Sequence, residues 1–160
     1  MSQRIGAVQK IGYSFLGLLA GNVASLITLL LIAVLPRLNV LPGITRLWGL
    51  DFNGALGLSL AIAIFSMSAW VVVGLPFVLL LSSEIAAEFY WATALLIGAI
   101  LGAIAMLLFF GAINGGHLDF ATLANPTDRY PLYLAALIAG IALLVYCTLV
   151  RNAIRTADAA

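Results

Sequence analysis

The chain has 160 residues, of which 64% are hydrophobic and 8% are charged, and its formal net charge is +1. About a quarter of the residues in a soluble domain are charged, so seven basic and six acidic side chains are too few to cover a soluble fold of this size. The near-neutral charge also excludes the basic surface that nucleic-acid binding requires, and we expect no nucleic-acid partner.

Four apolar stretches contain no Asp, Glu, Lys or Arg, and they cover residues 11–35, 55–81, 89–110 and 131–150. An α-helix needs about 20 apolar residues to cross roughly 30 Å of hydrocarbon. Backbone groups in lipid must be paired within the segment, and the stretches lack the alternation of barrel strands, so we expect helices. The sequence predicts a single all-α integral membrane domain over residues 1–160, with four transmembrane helices in an antiparallel bundle surrounded by the lipid bilayer.

The first stretch follows two basic residues, Arg4 and Lys10, and resembles a signal peptide in that respect. Its 25 apolar residues exceed the roughly 7–15 of a signal-peptide core, and no small-residue cleavage site closes it. We therefore interpret it as an uncleaved transmembrane helix that ends before Pro36.

Two long loops, residues 36–54 and 112–130, are expected on one face of the membrane because the spans alternate in direction. Four apolar residues of the first loop fall on one helical face and predict a short interfacial helix: Leu41, Ile44, Leu47 and Trp48. Phe120 and Leu123 indicate a similar element in the second loop. We interpret both loops as membrane-hugging connectors; the alternative is that they cover a lateral cleft.

Two features mark the second and third spans. Gly74 and Pro76 predict a helix kink near the end of the second span, because a proline removes one backbone hydrogen bond. About seven residues then join the two spans, which predicts a tight antiparallel hairpin. In this connection Ser82 and Ser83 precede Glu84, a pattern that predicts a hydroxyl cap and an acidic first turn for the third helix.

The distribution of basic residues gives a weak orientation. The face with both termini carries Arg4, Lys10, Arg151 and Arg155, and the face with the long loops carries Arg37, Arg46 and Arg129. Basic residues favour the cytoplasmic side, so a difference of one charge favours cytoplasmic termini, an N-in and C-in arrangement. Abundant Ala and an excess of Arg over Lys indicate a bacterial genome, and helical spans fit its inner (plasma) membrane.

Small residues recur at four-residue spacing in three of the spans and predict close helix packing. They are Gly17, Gly21 and Ser25 in the first span, Ala94, Gly98 and Gly102 in the third, and Ala136 and Gly140 in the fourth. We expect these faces to pack within the chain. The alternative is contact with a second copy or with another membrane subunit.

Polar groups within the spans are neutral, which argues against an ion-coupled carrier. Among them, Asn22 most needs a hydrogen-bond partner, because its amide has two donors and one acceptor. We therefore expect it to make an interhelical hydrogen bond. A water-filled path lined by Asn22, Ser25 and Thr28 is the alternative expected of a small oligomeric pore.

The second long loop contains His117 and Asp119, which could act as a base with its orienting carboxylate or supply two metal ligands. No third ligand or nucleophile accompanies them, and the preceding Asn-Gly-Gly is mainly a turn signal, so we interpret the segment as a solvated connection. The single cysteine, Cys147, excludes a disulfide, a paired-cysteine redox site and a structural zinc site within the chain. One histidine excludes haem held by two histidines, and we expect no cofactor and no metal.

The leading hypothesis is a non-enzymatic membrane protein that acts through helix packing, either as an accessory subunit of a larger membrane complex or as a small homo-oligomer. The first alternative is a small oligomeric channel or transporter for a neutral or apolar solute. The second alternative is a membrane enzyme that uses His117 and Asp119 at the loop face.

Overall fold

The computed structural model describes residues 5–34, 52–113 and 130–158, and these residues are helical apart from short connections. These three ranges contain six α-helices and one π-helical segment, in chain order. They are α1 (Ala7–Val34), α2 (Phe52–Ala69), the π segment (Trp70–Gly74), α3 (Leu75–Leu80), α4 (Ser83–Glu88), α5 (Trp91–Ile113) and α6 (Tyr130–Asp158).

Within the described residues, four helical stretches are long and apolar enough to cross a membrane, which confirms the prediction of a helical chain with four such helices. They are Ala7–Val34, Asn53–Leu80, Trp91–Ala112 and Pro131–Ala157, and we call them the first to fourth spans. Helix α6, which contains the fourth span, continues to Asp158, well past the end of the span predicted at residue 150. Apolar composition marks only the part suited to lipid, whereas a helix can continue through polar residues beyond it.

The second span consists of α2, the π segment and α3, which follow one another directly. The backbone N–H of Leu75 donates to the carbonyl of Trp70, five residues earlier, as in a π-helix. Pro76 comes next, and a proline ring clashes with the carbonyl four residues before it. The wider π turn accommodates this clash, so the structure places a π segment where Gly74 and Pro76 predict a kink.

The connection between the second and third spans differs from the tight hairpin that its length predicts. It contains α4, whose first turn is capped by the Ser82 hydroxyl accepting from the N–H of Ile85 at 3.2 Å. The hydroxyl cap and the acidic Glu84 therefore belong to this short helix and not to the third span. Phe89 has non-helical backbone angles (φ −58°, ψ 120°), so α4 ends there and α5 begins as a separate helix.

Helix α6 lies at the centre of the packing, because it contacts α1 on one side and α5 on the other. The second span packs mainly on α1. It meets α5 in few places along the described residues, although the two are neighbours in sequence. The order in space is thus second span, α1, α6 and α5, with a gap between the first and the last. A closed antiparallel bundle of all four stays a prediction.

The glycines of α1 and α5 allow the close approach of α6. A Cβ atom at Gly21 would lie 2.5 Å from the carbonyl oxygen of Ile138, and one at Gly17 would overlap the carbonyl of Ala142. The pairs Gly17–Ala142 and Gly21–Ile138 run in opposite order, so α1 and α6 are antiparallel. These glycines are needed because only hydrogen fits between the two backbones.

The loops predicted at residues 36–54 and 112–130 lie almost entirely outside the described residues. Their interfacial helices, and the question of whether they cover a cleft, stay predictions.

Candidate functional site

A cavity of about 420 Å³ lies in the gap between the second span and α5. Its floor is α6, and its walls carry mostly apolar side chains of α2, the π segment, α3 and α5. Ala61 and Phe109 line opposite walls and are exposed, so the cavity reaches the molecular surface between the two helices. Pockets that hold small molecules measure about 300–1,000 Å³ and are also mainly apolar.

Small side chains on the floor and bulky ones on the walls explain why the space exists. Gly98 and Gly102 of α5 contact Ala139 and Ala135 of α6, which brings these two backbones together. The same small residues line the cavity, and their short side chains leave its space unfilled. The second span cannot fill this space, because it packs on α1 instead.

The two walls meet at one aromatic contact. The ring centroids of Phe65 on α2 and Phe109 on α5 are 4.4 Å apart, with an interplanar angle of 59°. Both rings line the cavity. This contact joins the second and third spans across the gap, which is otherwise sparsely bridged along the described residues.

Trp70, the first residue of the π segment, also lines the cavity and is held from two sides. Its ring makes an edge contact with Phe15 of α1, with centroids 5.8 Å apart. A Cβ at Gly74 would lie 3.0 Å from Cδ1 of the same ring, so the indole lies over this glycine. The Nε1 atom is buried and has no hydrogen-bond partner among the described residues.

Tyr146 of α6 is the second polar group of the cavity that lacks a partner. The residue is 1% exposed and lines the cavity, and its hydroxyl makes no hydrogen bond within the described part of the chain. Leaving a buried donor unpaired costs about 1–3 kcal/mol. Both residues line the cavity, but their unpaired donor atoms, Nε1 of Trp70 and the hydroxyl of Tyr146, are buried and not exposed to it.

Two further hydroxyls line the cavity, but both are already used. Ser14 donates to the carbonyl of Ile11 at 2.9 Å. The Ser66 hydroxyl lies 3.0 Å from the carbonyl oxygen of Ala63 and 2.9 Å from Oδ1 of Asn22.

Ser25 and Ser59 also have buried hydroxyls without partners among the described residues, but neither lines the cavity. Among the residues that line the cavity in 5–34, 52–113 and 130–158, the buried side-chain donors without a partner belong to Trp70 and Tyr146.

Two basic side chains hold the connection between the second and third spans. Nζ of Lys10 donates to the carbonyl of Leu81 at 2.6 Å, just after α3. Nε of Arg151 donates to the carbonyl of Ala87 at 2.8 Å, and its Nη2 donates to the carbonyl of Phe89. Cations are favourable at helix C-termini, where carbonyl groups lack partners within the helix. These bonds fix the end of the cavity walls that is nearest both termini.

Asn22 makes an interhelical hydrogen bond of the kind that the sequence predicts. Its Oδ1 accepts from Ser66 on α2, and its Nδ2 donates to the carbonyl of Leu18 at 2.9 Å. Thr28 donates to the carbonyl of Ala24 at 2.8 Å. The cavity is not lined by Asn22, Ser25 or Thr28, so the path predicted along these three residues does not coincide with it.

The predicted small-residue faces lie inside the chain. Gly17, Gly21, Ser25, Ala94, Gly98, Gly102 and Gly140 are buried, and Ala136 is half-buried. Gly140 faces α5, where a Cβ would lie 3.1 Å from the carbonyl oxygen of Leu95. His117 and Asp119 lie outside the described residues, so the structure neither brings them together nor separates them.

Sequence reasoning missed Trp70 and Tyr146. Both are amphipathic residues that suit a membrane span, and nothing in their local sequence shows that they share a cavity. A partial signal exists for Trp70, because it stands four residues before Gly74 and six before Pro76. A proline that forces a wider turn changes the direction of the residues just before it.

The fold and the site together define an α-helical chain with four helices suited to cross a membrane and an apolar cavity between two of them. No protein-family model matches this chain, no curated protein matches it, and no solved structure matches it. Its function is therefore inferred from the geometry of the cavity.

Proposed function

We propose that the chain is a non-enzymatic integral membrane protein that binds one neutral, apolar molecule between its second and third spans. The observation that carries the proposal is the cavity of about 420 Å³, with its apolar walls and floor. In lipid, such a space is filled either by a molecule from the bilayer or by collapse of its walls. The Phe65–Phe109 contact and the bonds from Lys10 and Arg151 oppose collapse.

The charge of the lining supports a neutral ligand. No Asp, Glu, Lys or Arg lines the cavity within the described residues. An ion brought into this environment would lose its hydration without gaining a partner, at a high free-energy cost. Access from the hydrocarbon, between Ala61 and Phe109, avoids water altogether. A carrier or binding protein for an apolar solute fits these features better than an ion pathway does.

Native mass spectrometry of the protein released from a mild detergent tests this proposal. We expect the wild type to retain one small apolar molecule per chain. The variant Ala105→Phe should lose it, because Ala105 lines the cavity and a phenyl ring fills much of the space. The matched control is Ala92→Phe on the exposed surface of the same helix, which should retain the molecule. Equal retention by Ala105→Phe and the wild type would overturn the proposal.

A second candidate function is assembly with another copy or subunit through the outer surface of the second span. Only 11% of the most apolar window of this span is buried, compared with 39% for the fourth span. The glycine faces of α1 and α5 are occupied by α6, so they offer no surface to a partner. The second span is therefore the better interface for an accessory subunit or a homo-oligomer.

Cysteine crosslinking in membranes tests whether two copies of the chain associate through the second span. Ile64 on α2 and Leu96 on α5 are equally exposed, at 62% and 61%. If copies meet through the second span, Ile64→Cys should form a disulfide-linked dimer and Leu96→Cys should not. The native Cys147 is buried and does not interfere. Dimers at both positions or at neither would exclude a homo-oligomer through this surface.

For location, we propose the bacterial inner membrane with both termini in the cytoplasm. Four apolar helices support a membrane location, and the excess of one basic residue near the termini supports the orientation. Reporter fusions at either terminus test it, since a reporter that is active only outside the cytoplasm should be silent at both ends.

A further inference from the structure

We infer that the apolar body bound in the cavity is one extended hydrocarbon chain of a membrane lipid, whose polar headgroup stays outside the cavity. This inference rests on the proposed function and names the class of the ligand. Three properties of the cavity carry it: a lining that offers no free hydrogen-bonding side chain, a length that matches a single lipid chain, and an opening in one half only.

The polar side chains of the lining are not available to a ligand. The Ser14 and Ser66 hydroxyls already bond to oxygen atoms of the protein. Nε1 of Trp70 and the hydroxyl of Tyr146 each have less than 1 Å² of accessible surface. A polar group inside the cavity would therefore lose its hydration without gaining a hydrogen bond from these side chains. The lining thus favours a hydrocarbon and excludes a headgroup.

The cavity is elongated along the helices. Its lining on α6 runs from Pro131 to Tyr146, which is about 22 Å at 1.5 Å per residue. On α5 the lining runs from Gly98 to Phe110, or about 18 Å. One leaflet contributes half of a hydrocarbon core that is roughly 30 Å thick. The cavity is therefore longer than one leaflet and shorter than the whole core, which suits one extended chain that enters from one leaflet.

The end of the cavity nearest both termini is closed. Val78, Leu143 and Tyr146 line this end, and all three belong to a buried cluster. The cluster also contains Ala86 of α4 and Ala94 of α5, so helices from both walls and the floor meet there. Buried clusters of this kind are close-packed and leave no passage for a headgroup. The tip of a chain, and not its polar end, therefore lies at this end.

Access lies in the opposite half of the cavity. The exposed residues of the described lining are Ala61 and Phe109, and Phe109 lies about one turn before the end of the third span at Ala112. The contact between Phe65 and Phe109 crosses the gap in this half. A ligand that fills both halves must pass beneath this contact, which favours a thin, flexible chain over a rigid ring system. The headgroup then lies at the membrane surface on the side where α6 begins.

Native mass spectrometry in a steroid detergent tests the inference, because such a detergent supplies no flexible chain of its own. The probes are phosphocholines with one saturated chain of increasing length, the matching phosphoglycerols, and a polycyclic hydrocarbon as a compact apolar molecule. We expect one lipid per protein. Retention should rise about tenfold from chains that fill half of the cavity to chains that fill it, because unfilled space loses contacts. The two headgroups should give the same dependence on chain length.

Two substitutions in the lining measure how far the chain reaches. Val73 lines the cavity about three turns beyond Ala61. Val73→Phe fills part of the closed half and should shift the preferred chain to a shorter one. Ala69→Phe places the same ring one turn nearer the opening and should shift the preference further. The matched control is Val72→Phe, because Val72 is 73% exposed and lies outside the lining, and it should keep the wild-type preference.

The outcomes separate the inference from the proposed function. Retention that does not depend on chain length overturns the inference, as does a preference that neither Val73→Phe nor Ala69→Phe shifts or that Val72→Phe shifts equally. Retention of the polycyclic hydrocarbon in place of the lipids also overturns it, but leaves an apolar-molecule site in place. Retention of none of the probes overturns the proposed function itself. A preference for long chains that Val73→Phe shortens and Val72→Phe leaves unchanged supports both.

Discussion

Gly17 lies where α1 and α6 come closest, and a Cβ at this position would overlap the carbonyl oxygen of Ala142. The obstacle is backbone, so it cannot rotate away. We expect Gly17→Ala to lower the free energy of unfolding by about 1–3 kcal/mol, as overpacking in a close-packed core does.

Gly12 on the same helix provides the control, because a methyl group at this position would have nothing within 4 Å. Gly12→Ala should be neutral or stabilise by up to about 1 kcal/mol, because alanine is the better helix former. Thermal unfolding in detergent measures both variants. If the two variants behaved alike, the close approach of α1 to α6 would be wrong.

The hydrogen bond between Asn22 and Ser66 joins α1 to α2. Interhelical hydrogen bonds in membrane proteins contribute about 0.6 kcal/mol on average by double-mutant cycles. We therefore expect Asn22→Ala and Ser66→Ala to show a coupling energy of this size in unfolding measurements. Ser68, whose hydroxyl donates to the Ile64 carbonyl of its own helix, is the matched partner and should show no coupling with Asn22. Coupling to Ser68 as strong as to Ser66 would contradict this contact.

Helix α4 packs on α6 and is also joined to it by hydrogen bonds from a charged side chain. Arg151 reaches from α6 to the carbonyls of Ala87 and Phe89 at the end of α4. Hydrogen bonds to charged groups contribute about 1.5–3 kcal/mol. We expect Arg151→Gln to destabilise the protein by a similar amount and to accelerate amide hydrogen exchange in α4.

Arg155 lies one turn further along α6 and is exposed, so Arg155→Gln is the control for the loss of one positive charge. It should change neither the unfolding temperature nor the exchange rates of α4. Equal acceleration in both variants would show that charge near the terminus, and not the bonds to α4, controls this connection.

The second span shows what local sequence can and cannot predict about an element. Gly74 and Pro76 locate the irregular turn correctly, because the missing N–H of proline is a local property. The contact of the Trp70 ring with Phe15 of α1 joins two spans, and local sequence does not reveal it. Likewise, Ser82 signals a helix start, but the break at Phe89 that makes α4 a separate helix has no comparable signal.

For the molecule as a whole, the number of apolar helices follows from composition, because a lipid-spanning helix needs a long stretch without charge. The order in which the helices pack does not follow from composition. Sequence neighbours usually pack together, and the second span does pack on the preceding helix, α1, but it leaves a gap to the following span, α5, where the cavity lies. Gly98 and Gly102 were predictable as packing residues, but their position in the lining of a cavity depends on where the second span lies.

Photolabelling in liposomes tests whether this gap holds an apolar molecule. An alkyl ester that carries a diazirine is activated by light, and the labelled residues are found by peptide mass spectrometry. We predict saturable labelling, with one molecule per chain, at cavity residues such as Phe65, Phe77 and Phe110. The contrary result is labelling that does not saturate and that spreads over outward residues such as Leu60 and Leu96 in proportion to their exposure. It would show that the gap does not bind an apolar molecule.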